Sequence, residues 1–344
     1  MRIRRAAALA CLAVGIGGGQ PLPGDLRDTL ATRFSLSAAD LQKIEAGEAF
    51  GKLISGDRVD DLQLLGIILV RTDPERFIRA YKDIAHFEDT KEVRFTAKFS
   101  NPPKMTDLDG FRIPDLDADR IRACRPGDCA YKLPDWVMRE FQTKIDWSRP
   151  DAQAKADALV RKTWIDYLNR YRLQGNPALT VYYDTPTPFS VADGVKQLIG
   201  ELTVARNRLP EFIRYLQEYP NARPPDTEDF FYWQEASFGL KPVVRTSHVI
   251  IEKLPRPDGT HYVIASKMLF ATHYFRAAIE LKYVYPVRSP DGRPALYLIA
   301  YQRSYVDGMT GVTGAFLRHI VPGRSQESLI RNLKLAKDRL EQRM

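Results

Sequence analysis

Residues 243–306 read VVRTSHVIIEKLPRPDGTHYVIASKMLFATHYFRAAIELKYVYPVRSPDGRPALYLIAYQRSYV. Four runs rich in β-branched and aromatic residues, 243–254, 261–272, 274–285 and 295–305, are punctuated by turn residues. Pro255-Arg256-Pro257-Asp258-Gly259 and Ser289-Pro290-Asp291-Gly292 have hairpin-loop chemistry, and a tight junction falls near His273. The spacing predicts an antiparallel meander.

Side chains alternate across a strand, so charge indicates which set faces water. Taking Arg245, Lys253, Lys267, Arg276, Glu280, Lys282 and Arg303 as outward leaves four inward sets. These are Val244, Thr246, His248 and Ile250; Ile264, Ser266, Met268 and Phe270; Ala277, Ile279, Leu281 and Tyr283; and Leu298, Ala300, Gln302 and Ser304. Glu252, at the end of the first set, disagrees. The wall so predicted is apolar with sparse polar groups (Thr246, His248, Ser266, Tyr283, Gln302, Ser304), the composition of a small-molecule pocket. Met268, Phe270 and Ala300 complete the candidate ligand-binding set. A filled core with locally satisfied polar groups has the same composition.

Upstream, Leu62 to Val70 is an apolar run suited to a buried strand, and Asp73-Pro74-Glu75 starts a helix with a capping Asp and Pro in its first turn. Residues 35–57 read as largely helical with Ser37 as cap, and Val93 to Phe99 alternates as a strand. The stretch 137–220 is mainly helical, with Val160, Trp164, Leu168 and Tyr171 as one stripe, a short strand at 179–183, and Ser190 capping a further helix. Downstream of the meander, Gly308, Gly311 and Gly314 mark a flexible junction. A final helix is expected from about Gln326 to Gln342, capped by Ser325 and striped by Leu329, Leu333, Ala336 and Leu340.

The N-terminus, MRIRRAAALACLAVGIGGGQ, has three arginines, an apolar run from Ala6 to Ile16 and then small residues, the order of a secretory signal peptide. That run is too short to span a bilayer. Removing residues 1–20 lowers the formal charge from +8 to +5. The remaining cations are spread along the chain without a nucleic-acid motif, so no nucleic-acid partner is expected. Cys124-Arg125-Pro126-Gly127-Asp128-Cys129 places two cysteines around a Pro-Gly turn. In an oxidising compartment Cys124 and Cys129 are expected to pair as a structural staple. Two cysteines fall short of a zinc site and their spacing is wrong for a redox motif, so no metal is expected.

This order of elements resembles the START-like, or helix-grip, superfamily of lipid-transfer and polyketide-cyclase-related proteins. The resembling parts are LGIILVRTDPERFIRAYKDI at 65–84, the meander ending RSYVDGMTG at 303–311, and FLRHIVPGRSQESLIRNLKLAKDRLE at 316–341. The resemblance implies an α+β fold: a curved antiparallel β-sheet gripping a long C-terminal helix, here with a mainly helical insertion at about 137–220. The division expected is a signal peptide at 1–20, an N-terminal linker and helix at 21–60, and this domain at 61–344. It also implies an apolar tunnel gated near the helix, for which Gly308, Gly311, Gly314, Phe316, Leu317 and Ile320 are the candidate gate. The helical stretch departs from the family pattern and puts a single cavity in doubt.

Nucleophile-elbow, zincin, phosphate-loop and dinucleotide-binding motifs are absent from the sequence, and no cofactor is expected. Three readings follow. The first is a periplasmic or secreted carrier of an apolar small molecule or lipid, with an anionic membrane surface as a second partner. The second is an enzyme using the same cavity, which would place a titratable pair such as His248 and an acid in its wall. The third is an interaction module with a filled core. Intact-mass measurement of exported protein should show a chain beginning near residues 18–22; retention of Met1 would refute the export signal.

Overall fold

The computed structural model describes residues 19–56, 58–112, 118–237, 241–309 and 311–342. The expected signal peptide, residues 1–20, lies outside them up to residue 18. Two short helices, α1 (Gly24–Arg33) and α2 (Ala38–Glu45), precede the hairpin of β1 (Phe50–Ile54) and β2 (Asp61–Val70). Helices α3 (Pro74–Lys82) and α4 (Ile84–Phe87) lead to β3 (Val93–Lys98). A layer of helices follows: α5 (Ala118–Ala123), α6 (Asp135–Lys144), α7 (Ala152–Gln174), α8 (Val191–Gly200), α9 (Thr203–Arg208) and α10 (Pro210–Glu218). A two-stranded ribbon, β4 (Val181–Tyr182) with β5 (Phe189–Ser190), interrupts it. Then come β6 (Thr227–Ala236), the meander β7 (Val243–Arg256), β8 (Gly259–Ala271), β9 (Phe275–Arg288) and β10 (Pro294–Val306), and α11 (Gly311–Glu341).

The sheet has eight antiparallel strands in the order β1-β2-β10-β9-β8-β7-β6-β3. With the long C-terminal helix laid against it, this is the α+β architecture the sequence predicts. The local signals are explicit. Asp73 Oδ1 accepts from the Arg76 backbone N–H at 2.8 Å, and Ser37 forms a capping box with Asp40. Gly127, at φ +93°, closes the disulfide turn, and the Cys124 and Cys129 Cα atoms lie 4.4 Å apart. The loop is clasped to the ribbon, its Gly127 and Cys129 N–H groups donating to the Tyr183 and Asp184 carbonyls.

Several boundaries differ from expectation. The segment read as one helix over 35–57 divides into α2 and the edge strand β1, and α1 forms within the expected linker. Strand β6, unforeseen, lies between β7 and β3. The final helix begins at Gly311, so Ser325 lies in its interior and caps nothing, and Pro322 sits within the helix. The Gly junction shrinks accordingly: Gly308 turns the chain at φ +73°, and Gly314 already belongs to the helix. A Cβ at Gly314 would stand 2.5 Å from the Met309 carbonyl carbon.

The sheet is covered on both faces. On one, the grip face, α11 packs on β1 and β2 while α3 packs on β8 and β9. Phe77, Ile78 and Tyr81 of α3 and Leu329, Leu333 and Leu340 of α11 share a core there with Leu64, Ile68, Ile264 and Leu298. On the other, the back face, α6, α7, α8 and α10 bury Trp164, Leu168, Leu198 and Phe212 against Val244, Ile250, Ala265 and Ile279. Helix α11 approaches β2 closely only because residue 66 is glycine: a Cβ there would lie 2.8 Å from Leu333 and 2.9 Å from Leu329. Gly66→Ala should therefore push α11 outward and cost about 1–3 kcal/mol, as overpacking does. Urea denaturation checks this, and an unchanged midpoint would refute the close-packed seat.

Candidate functional site

Directly paired residues share a face, so the register places each predicted lining residue. Ser266, Met268, Ala300, Gln302 and Ser304 lie on the grip face; Thr246, His248, Phe270 and Tyr283 lie on the back face. The predicted single wall is thus divided between two layers. Charge misassigned the faces because neither faces open water. Lys267, expected outward, is fully buried beneath the helical layer. Arg303 is buried in ion pairs with Asp61 and Glu201, and Glu280 and Lys282 lie under the grip. The first set was inward throughout, including its misfit: Glu252 faces the helical layer, and burial and the nearby Glu211 push its carboxyl up to about 7. Phe270 joins Leu269 on the back face because a bulge in β8 inserts one residue opposite Thr246/Ser247.

The grip face contains the more accessible group. Between α11 and α3 the grip face of β8, β9 and β10 carries a strip of part-open polar side chains, here called the trough. Glu280 pairs there with Lys282 and accepts from Gln302 Nε2 at 2.7 Å. Burial alone would raise the Glu280 pKa; the Lys282 ammonium, the Gln302 amide and the Arg245 guanidinium outweigh it and hold the carboxyl below its ordinary value. The Glu280 side chain keeps 19% of its surface open, although its neighbours Tyr81 and Tyr232 are buried. Ser266, Gln302, Ser304 and Arg245 are likewise only half-buried. Lys282 stands 5.3 Å from the centre of the Tyr81 ring. Arg339 of α11 donates to the carbonyls of His86, Phe87 and Asp89, and Arg331 of α11 reaches Glu92 at 2.9 Å, so the helix is tied to the segment leading into β3.

A cleft of about 420 Å³ opens on the same face beside α3, lined by Ile78, Arg79, Lys82, Glu228, Ile251 and Tyr262 among others. None of the sequence-predicted site residues line it. On the back face a gap of about 40 Å³, room for a water or two, lies between Trp136, Trp164, Tyr167 and Phe270. Of the candidate gate, Gly308, Gly311 and Gly314 form the turn and first helical turn of α11, and Ile320 is half-buried. The side chains of Phe316 and Leu317 lie outside the described residues.

His248 has the acid that an enzymatic reading requires, but in a closed setting. Its Nε2 lies 3.4 Å from Asp229, and its Nδ1 is 3.0 Å from the Tyr171 hydroxyl. Burial drives its pKa down to about 4. Opposite it on β8, Lys267 donates to Asn176 Oδ1 at 2.6 Å and sits over the Tyr171 and Tyr219 rings, and burial lowers its pKa to about 7. His248, Lys267, Tyr171 and Tyr219 are all buried. The cluster thus fastens α7 and α10 to the sheet by polar contacts. Sequence gave no means to pair Asp229 or Tyr171 with His248, since periodicity does not report contacts between layers. Thr246, its neighbour on β7, is also buried, and its Oγ1 is unpartnered among the described residues.

No family model and no curated protein matches the chain. Among solved structures it is similar to the crystal structure of the Zhui aromatase/cyclase from Streptomyces sp. R1128. That match has 14% identity and a TM-score of 0.22, and covers 43% of this chain and 87% of that one. At that score the likeness carries nothing further to this chain.

The buried pair predicts a pH profile. Between pH 7 and the ordinary lysine value of 10.5, unfolded Lys267 holds a proton that the folded side chain has lost. Stability therefore rises with pH across that window. His248 acts on the acid side, where stability falls as pH drops from 6.5 towards 4. Lys267→Met should stabilise the fold at neutral pH, by up to roughly 1–4 kcal/mol, and flatten the rise between pH 7 and 9.5. Denaturation curves across that range test both; a variant with the wild-type slope would refute the assignment.

Proposed function

We propose that the chain is an exported, START-like binder or carrier that holds an amphipathic small molecule or lipid in the grip-face trough. One observation carries this reading: Glu280, Gln302, Ser266 and Arg245 on the grip face stay part-open to solvent while the apolar side chains around them are buried. Glu280, Lys282, Gln302 and Ser266 give directional contacts to a polar group. Ile264, Leu298, Val284 and Met268 are the buried apolar side chains packed beside them. Export is supported by the signal-like N-terminus and by the disulfide, which suits an oxidising compartment. The same composition gives the division proposed for the chain: a leader, the α1–α2 arm, and a helix-grip domain interrupted by the helical layer.

The enzymatic alternative has its titratable pair, His248 and Asp229, on the wrong face for this trough. Binding is therefore favoured over catalysis. Both Ser266→Trp, which fills the trough, and wild type should be titrated with an environment-sensitive apolar fluorophore, with Tm measured alongside. Wild type should show saturable enhancement, and the folded variant should lose at least about tenfold in affinity, roughly 1.4 kcal/mol. Absence of saturable binding by wild type would overturn the carrier reading in favour of an interaction module.

A further inference from the structure

The trough contains a guanidinium, Arg245, with no carboxylate in direct contact among the described residues. Arg245 on β7 is half-buried and faces the grip side, opposite Gln234 of β6. Its Nε donates to Gln234 Oε1 at 2.9 Å, and one Nη2 hydrogen shares the same acceptor. Gln234 is fully buried, and its Nε2 is 3.3 Å from Thr96 Oγ1, which fixes the amide's orientation. No carboxylate among the described residues lies within ion-pair distance of Arg245, whereas Lys282 and Arg331 are paired with Glu280 and Glu92. Arg245 nevertheless stands near enough to Glu280, Tyr81 and Tyr232 to favour their ionised forms.

A guanidinium has five N–H groups, and Gln234 takes the edge formed by Nε and Nη2. The remaining edge, one hydrogen each from Nη1 and Nη2, has the spacing of the two oxygens of a carboxylate. Removing an unpaired charge partly from water is costly, and a ligand anion offsets that cost. Beyond Arg245, Val243, Met268 and Ala271 form an apolar cluster with Ala278 on the same face.

Accepting the ligand-binding reading above, we propose that Arg245 makes the trough selective for an aliphatic monocarboxylate. Its end-on edge takes the carboxylate, and the chain runs over part-buried Ala278 and the half-buried Ser266 and Ser304 of the same face. One cation with one free edge matches a single-charged planar head. A neutral ester or alcohol of the same chain leaves that edge unpaired.

The test uses the full exported chain with pyrene-labelled dodecanoic acid and its methyl ester, titrated separately by fluorescence. Wild type should bind the acid at least about tenfold more tightly, and Arg245→Gln should abolish that preference while retaining ester affinity. Arg245→Lys, which keeps the charge but loses the planar edge, should retain an intermediate preference. Arg288→Gln, at an exposed site with the same change in net charge, should leave the preference intact. Equal binding of acid and ester by wild type, or an acid preference surviving in Arg245→Gln, overturns the assignment and leaves ligand binding standing. Failure of wild type to bind either probe overturns both. Arg245-dependent binding only to phosphatidylglycerol vesicles, with none to the monomeric acid, would reassign the edge to a membrane headgroup.

Discussion

Burial of both faces of one sheet is the constraint from which the rest of this molecule follows. A strand covered on two sides has no solvent face, so each charged residue in it must find a partner or lose its charge. The chain uses both solutions. Arg303 is held by Asp61 at 2.9 Å and by Glu201, and Glu280 by Lys282 and Gln302. Lys267, with only Asn176 and two tyrosine rings, is pushed towards neutrality. Such groups add little net stability; removing one partner of a buried pair is what costs. Their effect here is positional, since they fix which helix lies on which part of the sheet.

The charged groups also connect the layers. Lys132, just past the disulfide turn, bridges Asp184 at 3.0 Å and Asp307, and Asp307 meets Arg276 Nε at 3.1 Å. Arg276 in turn reaches Asp60, beside β2. Asp307 immediately precedes Gly308 and α11. The turn that starts the gripping helix is therefore held by the helical layer on the opposite face. Burial raises the Asp307 pKa while the Lys132 ammonium opposes it.

The meander was legible because Pro-Gly turns and alternating runs are local signals; β7 to β10 fall within a few residues of the runs read from sequence. The stripes Leu329, Leu333, Ala336 and Leu340 and Val160, Trp164, Leu168 and Tyr171 are buried as their 3.6-residue spacing requires. The facing of the strands was less legible. Charge marks solvent only when one face is wet, and here Lys267, Glu280, Lys282 and Arg303 are interior. Five of the nine predicted lining residues share the grip face, because alternation holds within each strand except at the β8 bulge, which turns Phe270 to the back. Strand β6 does follow a turn signal, Pro224-Pro225-Asp226, but its consecutive aromatics Phe230, Phe231, Tyr232 and Trp233 do not alternate and give no period-two pattern. Arg245 was set aside as an outward charge, and only the register with Gln234 brings it inside.

The helical layer occupies positions 99–226, between two strands, β3 and β6, that are hydrogen-bonded neighbours in the sheet. Chain closure across so long a segment has an entropic cost that short hairpins avoid. The four meander strands can pair through their own turns, whereas β3 must wait for the intervening helices to collapse. Until then β6 presents a bare edge, ten residues long and containing Phe230, Phe231, Tyr232 and Trp233. An aromatic edge of that kind is a template for pairing with a second chain. That edge is covered only once β3 pairs with β6, just as the β10 edge is covered only once β2 pairs with it.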